Sequence, residues 1–434
     1  MYLANQSHNS AWSEPLVFRK ITLLTCSVLL MTSGLVRGQQ QPLVEKYLLS
    51  GNFSQGEKDL QAHLKQNPKD DQARFGLGTL QFMQSLDHLS KSWYRYGINS
   101  STRNAILPFF RLPVPANPNP EPIDYESVRN VLKEMLKDLE KADKTLAAIE
   151  SKNVKLPLHL FAIHFDINGN GKKDKAEDLN VFLDEIFDLK LIPNNCRPVT
   201  VIAFDYADAI WLRGYTHVLR SMLEFALAYD AKPLWDVSAH RLFPNVKFKY
   251  EFMKEEFDKS KREGGGFRFD GNSIIDIVAS IHNLNFKLQE PERIKRIHGH
   301  LKKVVELSRE MWTSLSEETD NDREWIPNSR QTTVVSQFRS TNQTLTVWQE
   351  ILDEVDEILD GRTLLPFWRG ESKDRGFNVK RFITEPRDFD VILFIHGSGA
   401  MPFVERGDVS SPEKWRQFQE VFNGDLFGFA IWFN

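Results

Sequence analysis

Apolar residues recur at helical spacing through most of this chain. From Tyr125 to Glu150, Val128, Val131, Leu132, Met135, Leu136 and Leu139 share one face, with Lys and Glu opposite. That is the pattern of an amphipathic helix. Similar patterns predict short helices over 42–49, 55–67 and 70–96, with Gly51 and Pro68 as stops. Further helices are predicted over 272–289, 291–315 and 342–359. Between 199 and 230, Ile202, Phe204, Ile210, Trp211, Leu212, Leu219, Met222, Leu223, Phe225 and Leu227 leave almost no polar side. This predicts one helix at the centre of the core. Gly264-Gly265-Gly266 marks a break.

Two segments depart from the helical pattern. Residues 107–123 carry Pro108, Pro113, Pro115, Pro118, Pro120 and Pro122, which leave no room for a helix or an inner strand and predict a linker. In 366–434, Val379–Ile383 and Val391–Ile395 have strand-like content and Phe427–Phe433 is a third aromatic run. A small β or extended C-terminal portion is expected. The expected fold is mainly α: a multi-helix globular protein divided into 1–38, a helical region 39–106, the linker 107–123, a helical core 124–365 and the C-terminal α+β portion 366–434.

Composition narrows the class. At 434 residues with 41 % hydrophobic content, the chain can bury a large core and form more than one structural unit. Aromatics at 12 % argue against disorder. A net charge of −4 gives no nucleic-acid footprint.

The N-terminus reads as an export signal. Arg19 and Lys20 precede the apolar run Ile21 to Val36, and Val36-Arg37-Gly38 offers a cleavage site. The run is shorter than the ~20 residues of a membrane span, so residues 1–38 are expected to be a cleaved signal peptide, leaving no membrane span. Cys26 lies in that leader, which leaves Cys196 alone and no intrachain disulfide. Export without disulfides points to a periplasmic, envelope-associated or secreted bacterial protein.

Within 42–97, Tyr47, Leu60 and Pro68, then Leu77-Gly78 and Tyr94, fall at repeating positions, with Leu60 and Tyr94 one period of about 34 residues apart. The segment resembles about one and a half tetratricopeptide repeats. The resemblance implies a set of helical hairpins that can offer a surface to a protein or peptide partner.

One segment dictates a specific chemistry. Asp166, Asn168, Asn170, Asp174 and Glu177 place side-chain oxygens at loop positions 1, 3, 5, 9 and 12. Lys172 offers a backbone carbonyl at 7 and Gly171 the sharp turn at 6. The segment 166–177 resembles an EF-hand calcium loop, which implies Ca2+ as the bound ion and these six residues as its ligands. Lys173 stands where paired EF-hands carry an aliphatic residue. No second loop follows, because Asp320-Asn321-Asp322 lacks the glycine and the closing carboxylate. Lys172, Lys173 and Lys175 offset the three carboxylates, so affinity is expected in the weak extracellular range, roughly 10⁻⁴–10⁻³ M. The expected function is an exported calcium-binding protein with a structural or protein-interaction role.

The alternative is an envelope enzyme. Asp205, Asp208, Arg213, His217, Arg220 and Glu224 lie on the apolar 199–230 segment, and Asp208, His217 and Glu224 could serve acid–base chemistry. The same residues also suit a structural salt-bridge network. His396-Gly397-Ser398-Gly399 resembles an α/β-hydrolase oxyanion loop, but no G-x-S-x-G elbow follows, so it reads as a strand end and turn. His298-Gly299-His300, amid Arg293, Lys295, Arg296, Lys302 and Lys303, reads as a solvated helix face.

Overall fold

Left-handed glycines and side-chain caps set the helix ends. In a computed structural model, which describes residues 41–99, 108–187, 200–247, 271–334, 340–370, 374–422 and 426–433 with Glu255 and Gly424, α1 (Glu45–Ser50) stops at Gly51. The φ of Gly51 is 70°, so α2 (Phe53–Gln66) turns back at once. Asp70 opens α3 (Asp71–Tyr96) by accepting the Ala73 N–H at 2.9 Å. Asp124 does the same for α4 (Tyr125–Leu146) through Ser127. The central α3 packs on both α2 and α4. The predicted leader 1–38, Cys26, Cys196 and Gly264–Gly266 lie outside the described residues.

The Pro-rich stretch is extended as its prolines require, apart from a 3₁₀ turn over Pro108–Phe110. It is only partly solvated, however. Leu112, Val114 and Ile123 are buried, and Ile123 exchanges backbone bonds with the 245–247 segment. The chain from Pro42 to Asn434 forms one compact unit.

β1 (Lys155–Leu158) follows α4, and α5 (Leu179–Phe187) lies beyond the 166–177 loop. The expected single helix over 199–230 is corrected. Its first residues form β2 (Ile202–Asp205), antiparallel to β1 with Leu156 opposite Phe204. Helix α6 (Tyr206–Ala228) begins only after Asp205, because a capping box decides the boundary. Asp205 accepts the Ala207 N–H while Asp208 accepts the Asp205 N–H at 3.0 Å. After β3 (Tyr229–Asp230) and α7 (Lys232–Ser238), α8 (Gly271–His282) ends short of the predicted 289. Its expected last turns are β4 (Asn285–Leu288), which pairs with β3. α9 (Pro291–Glu317) then packs along α6, and α10 (Asn342–Leu359) along α9.

The C-terminal portion mixes α and β, but with the two exchanged. β5 (Leu365–Pro366), β6 (Arg375–Phe377), β7 (Phe389–Asp390) and β8 (Val404–Arg406) are short strands. The predicted strands 379–383 and 391–395 are helices, α11 (Val379–Thr384) and α12 (Val391–His396). Asn378 and Asp390 cap them, accepting the Arg381 and Leu393 N–H groups. Local capping here overrides the β preference of Val and Ile. After α13 (Pro412–Val421), the aromatic run 427–433 lies within α14 (Leu426–Phe433). The result is mainly helical, with a few small strands.

Candidate metal centre

The 166–177 loop is clamped at both ends before its own residues are considered. Phe165 is fully buried and its ring lies 5.6 Å from that of Phe53 and 4.8 Å from that of Phe182. The His164 N–H donates to the Leu48 carbonyl at 3.1 Å. Gly51 sits so close that a Cβ there would meet the His164 oxygen and the Asp166 nitrogen, each at 3.3 Å. The α1–α2 turn therefore rests on the loop entrance. A short antiparallel closure ties entrance to exit: Phe165 N–H to Glu177 O, and Leu179 N–H to Ile163 O, both 2.9 Å. His164 Nδ1 lies 3.0 Å from Asp178 Oδ1.

An EF-hand is a helix–loop–helix, and here no α-helix leads into the loop. The chain comes in through β1 and a 3₁₀ turn at Leu160–Ala162, since Pro157 and the pairing with β2 hold it extended. Only the exit, α5, is helical.

Inside the loop, the oxygens fold over their own backbone. Asp166 accepts the Gly171 N–H at 3.2 Å, Asn168 that of Asn170 at 3.0 Å, and Asn170 that of Lys172 at 2.7 Å. Asp174 Oδ1 accepts from Ala176 at 3.0 Å. Gly169 and Gly171 both take φ 68°, the left-handed conformation that makes this winding possible. Glu177, at the closing position, reaches back so that Oε1 accepts the Asn168 N–H at 3.1 Å.

Glu177 is fully buried, and its second oxygen, Oε2, has no hydrogen-bond partner among the described residues. A buried polar atom in that state costs about 1–3 kcal/mol. Burial raises the Glu177 pKa, and the nearby Asp166 and Asp174 add to it against the Asn168 N–H and His164. Lys172, Lys173 and Lys175 are exposed, and among the described residues none forms an ion pair. The loop's charges cancel on paper, but the lysines do not neutralise its interior. Oxygen donors without nitrogen or sulfur fit a hard divalent cation.

A second acidic group was not legible in the sequence. Carboxylate oxygens of Asp205, Glu318 and Glu324 lie within 4.8 Å of one another. Lys155 Nζ enters this cluster, 2.7 Å from Asp320 and 3.6 Å from Asp205. Burial and the neighbouring carboxylates push Glu318 up to about 8 and raise Asp208 and Glu324, while burial raises Asp205 against the Lys155 ammonium. One ammonium among so many carboxylates leaves protons shared between them. The alternation Glu318, Asp320, Asp322, Glu324 was the one hint in the chain, and nothing in it points to Asp205 or Lys155.

The residues of the enzyme alternative do not converge. Asp208 serves the α6 cap. His217 Nε2 lies 3.2 Å from Asp143 of α4, which also engages Arg213 at 3.2 Å and Arg220 at 3.4 Å. Glu224 is held by Arg293 and Arg296, both at 2.8 Å. The polar stripe thus ties α6 to α4 and α9.

The predicted solvated face at His298–His300 is also corrected. His300 follows Ile294 and Ile297 on the buried side of α9, and its Nδ1 meets His217 Nδ1 at 2.9 Å. Burial, with Arg220 and His217 nearby, lowers the His300 pKa to about 4. His298 bonds the Leu359 carbonyl at 2.8 Å. His396 lies exposed at the end of α12, with Gly397 at φ 100°, so the turn ends a helix and not a strand. The chain matches no protein-family model, no curated protein and no solved structure.

Proposed function

We propose that residues 166–177 bind a calcium ion and that the ion is a structural staple in an exported protein. The single observation that carries this reading is the buried Glu177 carboxylate, whose Oε2 has no hydrogen-bond partner among the described residues. Asp166, Asn168, Asn170, Asp174 and Glu177 would supply side-chain oxygens and Lys172 its carbonyl. Calcium accepts six to eight oxygens at flexible geometry, whereas magnesium demands a near-octahedral shell and sheds water reluctantly. The ion would hold the segment between β1 and α5 against α1 and α2, through Phe165 and the His164–Leu48 bond.

The leader-like residues 1–38 support an extracytoplasmic setting, where millimolar calcium suits a weak site. The sequence resemblance of residues 42–97 to tetratricopeptide repeats supports a role in holding a protein partner.

Calorimetric titration of the leader-free protein with Ca2+ tests the metal reading. Saturable heat at a dissociation constant between about 10⁻⁴ and 10⁻³ M is expected, lost in Glu177→Gln. No heat and no melting shift at several millimolar Ca2+ would end it.

A further inference from the structure

Four phenylalanines from different parts of the C-terminal portion converge on one cavity. The ring of Phe382 on α11 lies 6.1 Å from that of Phe389 on β7, 5.4 Å from Phe394 on α12 and 5.4 Å from Phe403. With Leu393 they line a space of about 160 Å³. Its walls are fixed from behind. Phe389 packs on Phe225 of α6 and Tyr229 of β3, and the Asn378 N–H donates to the Phe403 carbonyl at 2.8 Å. Asn378 and Asp390 cap the two helices that carry Phe382 and Phe394.

The size and the walls set the bulk of a guest. A cavity of about 150 Å³ lined by Leu, Ile and Phe admits one benzene-sized ring. Aromatic walls favour an aromatic occupant, because offset and edge-on ring contacts add to the area buried.

The charges say what the ring carries. Arg387, Asp388 and Asp390 line the same cavity. Asp388 is engaged, one oxygen by Lys287 at 2.7 Å and the other by the Leu288 N–H at 2.9 Å. Asp390 uses Oδ1 for the α12 cap, which leaves its negative charge in place, and among the described residues it forms no ion pair. Arg387 lies over the Phe403 ring at 5.3 Å. Its neighbour Glu385 is held by two bonds from Arg381, each 3.0 Å, and acts on Arg387 only at longer range. With Lys287 cancelling Asp388, one guanidinium and one carboxylate remain at the cavity. A ligand complementary to both carries a carboxylate and an ammonium, whereas a plain anion would meet Asp390 and a plain cation Arg387.

We propose that this cavity binds a free aromatic α-amino acid, with the ring among the four phenylalanines, the carboxylate on Arg387 and the ammonium on Asp390. A residue inside a peptide lacks these two charges. The site stands apart from the calcium loop and does not depend on it.

Calorimetric titration of the leader-free protein, in EDTA, with L-phenylalanine is the test. Saturable binding with a dissociation constant on the order of 1 mM is expected for so small a ligand. Phenylpropanoate lacks the ammonium, phenylethylamine the carboxylate and L-alanine the ring, and each should bind about tenfold more weakly. Arg387→Gln should abolish the preference for L-phenylalanine over phenylethylamine. Asp390→Asn should abolish the preference over phenylpropanoate. Arg387 is exposed and Asn caps a helix as well as Asp, so both variants are expected to fold, with melting temperatures unchanged. Absence of saturable binding up to about 10 mM L-phenylalanine overturns the proposal. So does equal binding of any of the three analogues, or binding of L-phenylalanine that both variants leave intact.

Discussion

Glu177 Oε1 accepts the Asn168 N–H at 3.1 Å, across nine positions of loop, while Oε2 of the same carboxylate has no hydrogen-bond partner among the described residues. The closing residue is thereby placed before any ion arrives. Ten millimolar calcium against a dissociation constant of 10⁻⁴–10⁻³ M would stabilise the fold by about 1.4–2.7 kcal/mol. A rise of a few degrees in melting temperature is expected on adding calcium, and none in Glu177→Gln; differential scanning calorimetry reads both.

The same carboxylate should give the metal-free protein a pH dependence. The Glu177 pKa is raised in the folded chain, so the folded state keeps a proton that the unfolded state releases near 4.5. Stability from this group is full below that value and is lost as pH climbs through the folded pKa. Melts in EDTA should show a decline on this limb that Glu177→Gln removes.

Glu318 supplies a second, wider window. Its folded pKa is about 8 against an ordinary 4.5, so stability from this group falls progressively between those values. Glu318→Gln should flatten the fall from pH 5 to 8, as read by urea midpoints at each pH. A slope unchanged by the substitution would contradict the shared-proton description of the cluster.

Asp143 faces Arg213, His217 and Arg220 from α4. Asp143→Asn would remove the carboxylate shared by Arg213, His217 and Arg220, at a cost of about 3 kcal/mol. Chemical denaturation measures it. His300 acts in the opposite pH sense to Glu318. Its folded pKa of about 4 lies below the ordinary 6.5, so its contribution is present above 6.5 and is lost as pH falls toward 4.

Gly51 holds φ 70° against the loop entrance. Gly51→Ala should destabilise by about 1–2 kcal/mol through the left-handed backbone alone. Because the new Cβ would press on His164 O and Asp166 N, the calcium-dependent melting shift should shrink as well. A shift of wild-type size would separate the turn from the loop.

Long periodic helices were legible because their signal is repeated over many turns: α4 begins at the predicted Tyr125, and α9 and α10 lie where Ile294 through Leu359 place them. Boundaries decided by one cap were not. Asp205 splits the 199–230 run into strand and helix, and Asn378 and Asp390 turn Val- and Ile-rich stretches into helices. The loop spacing named its candidate ligands, since all six lie within twelve consecutive residues. The Asp205–Glu318–Glu324 group and the His217–His300 contact were hidden. Their members come from different elements, and only the packing of α6 on α9 brings them together.

The Phe53–Phe165 stack and the contact of Glu45 with His159, 114 positions on, have a consequence during synthesis. α1 and α2 leave the ribosome before the loop entrance, whose His159 and Phe165 meet Glu45 and Phe53 across more than a hundred residues. Until then Phe53 and Glu45 lack these partners. This part of the N-terminal packing is completed only once the chain up to Phe165 has been made.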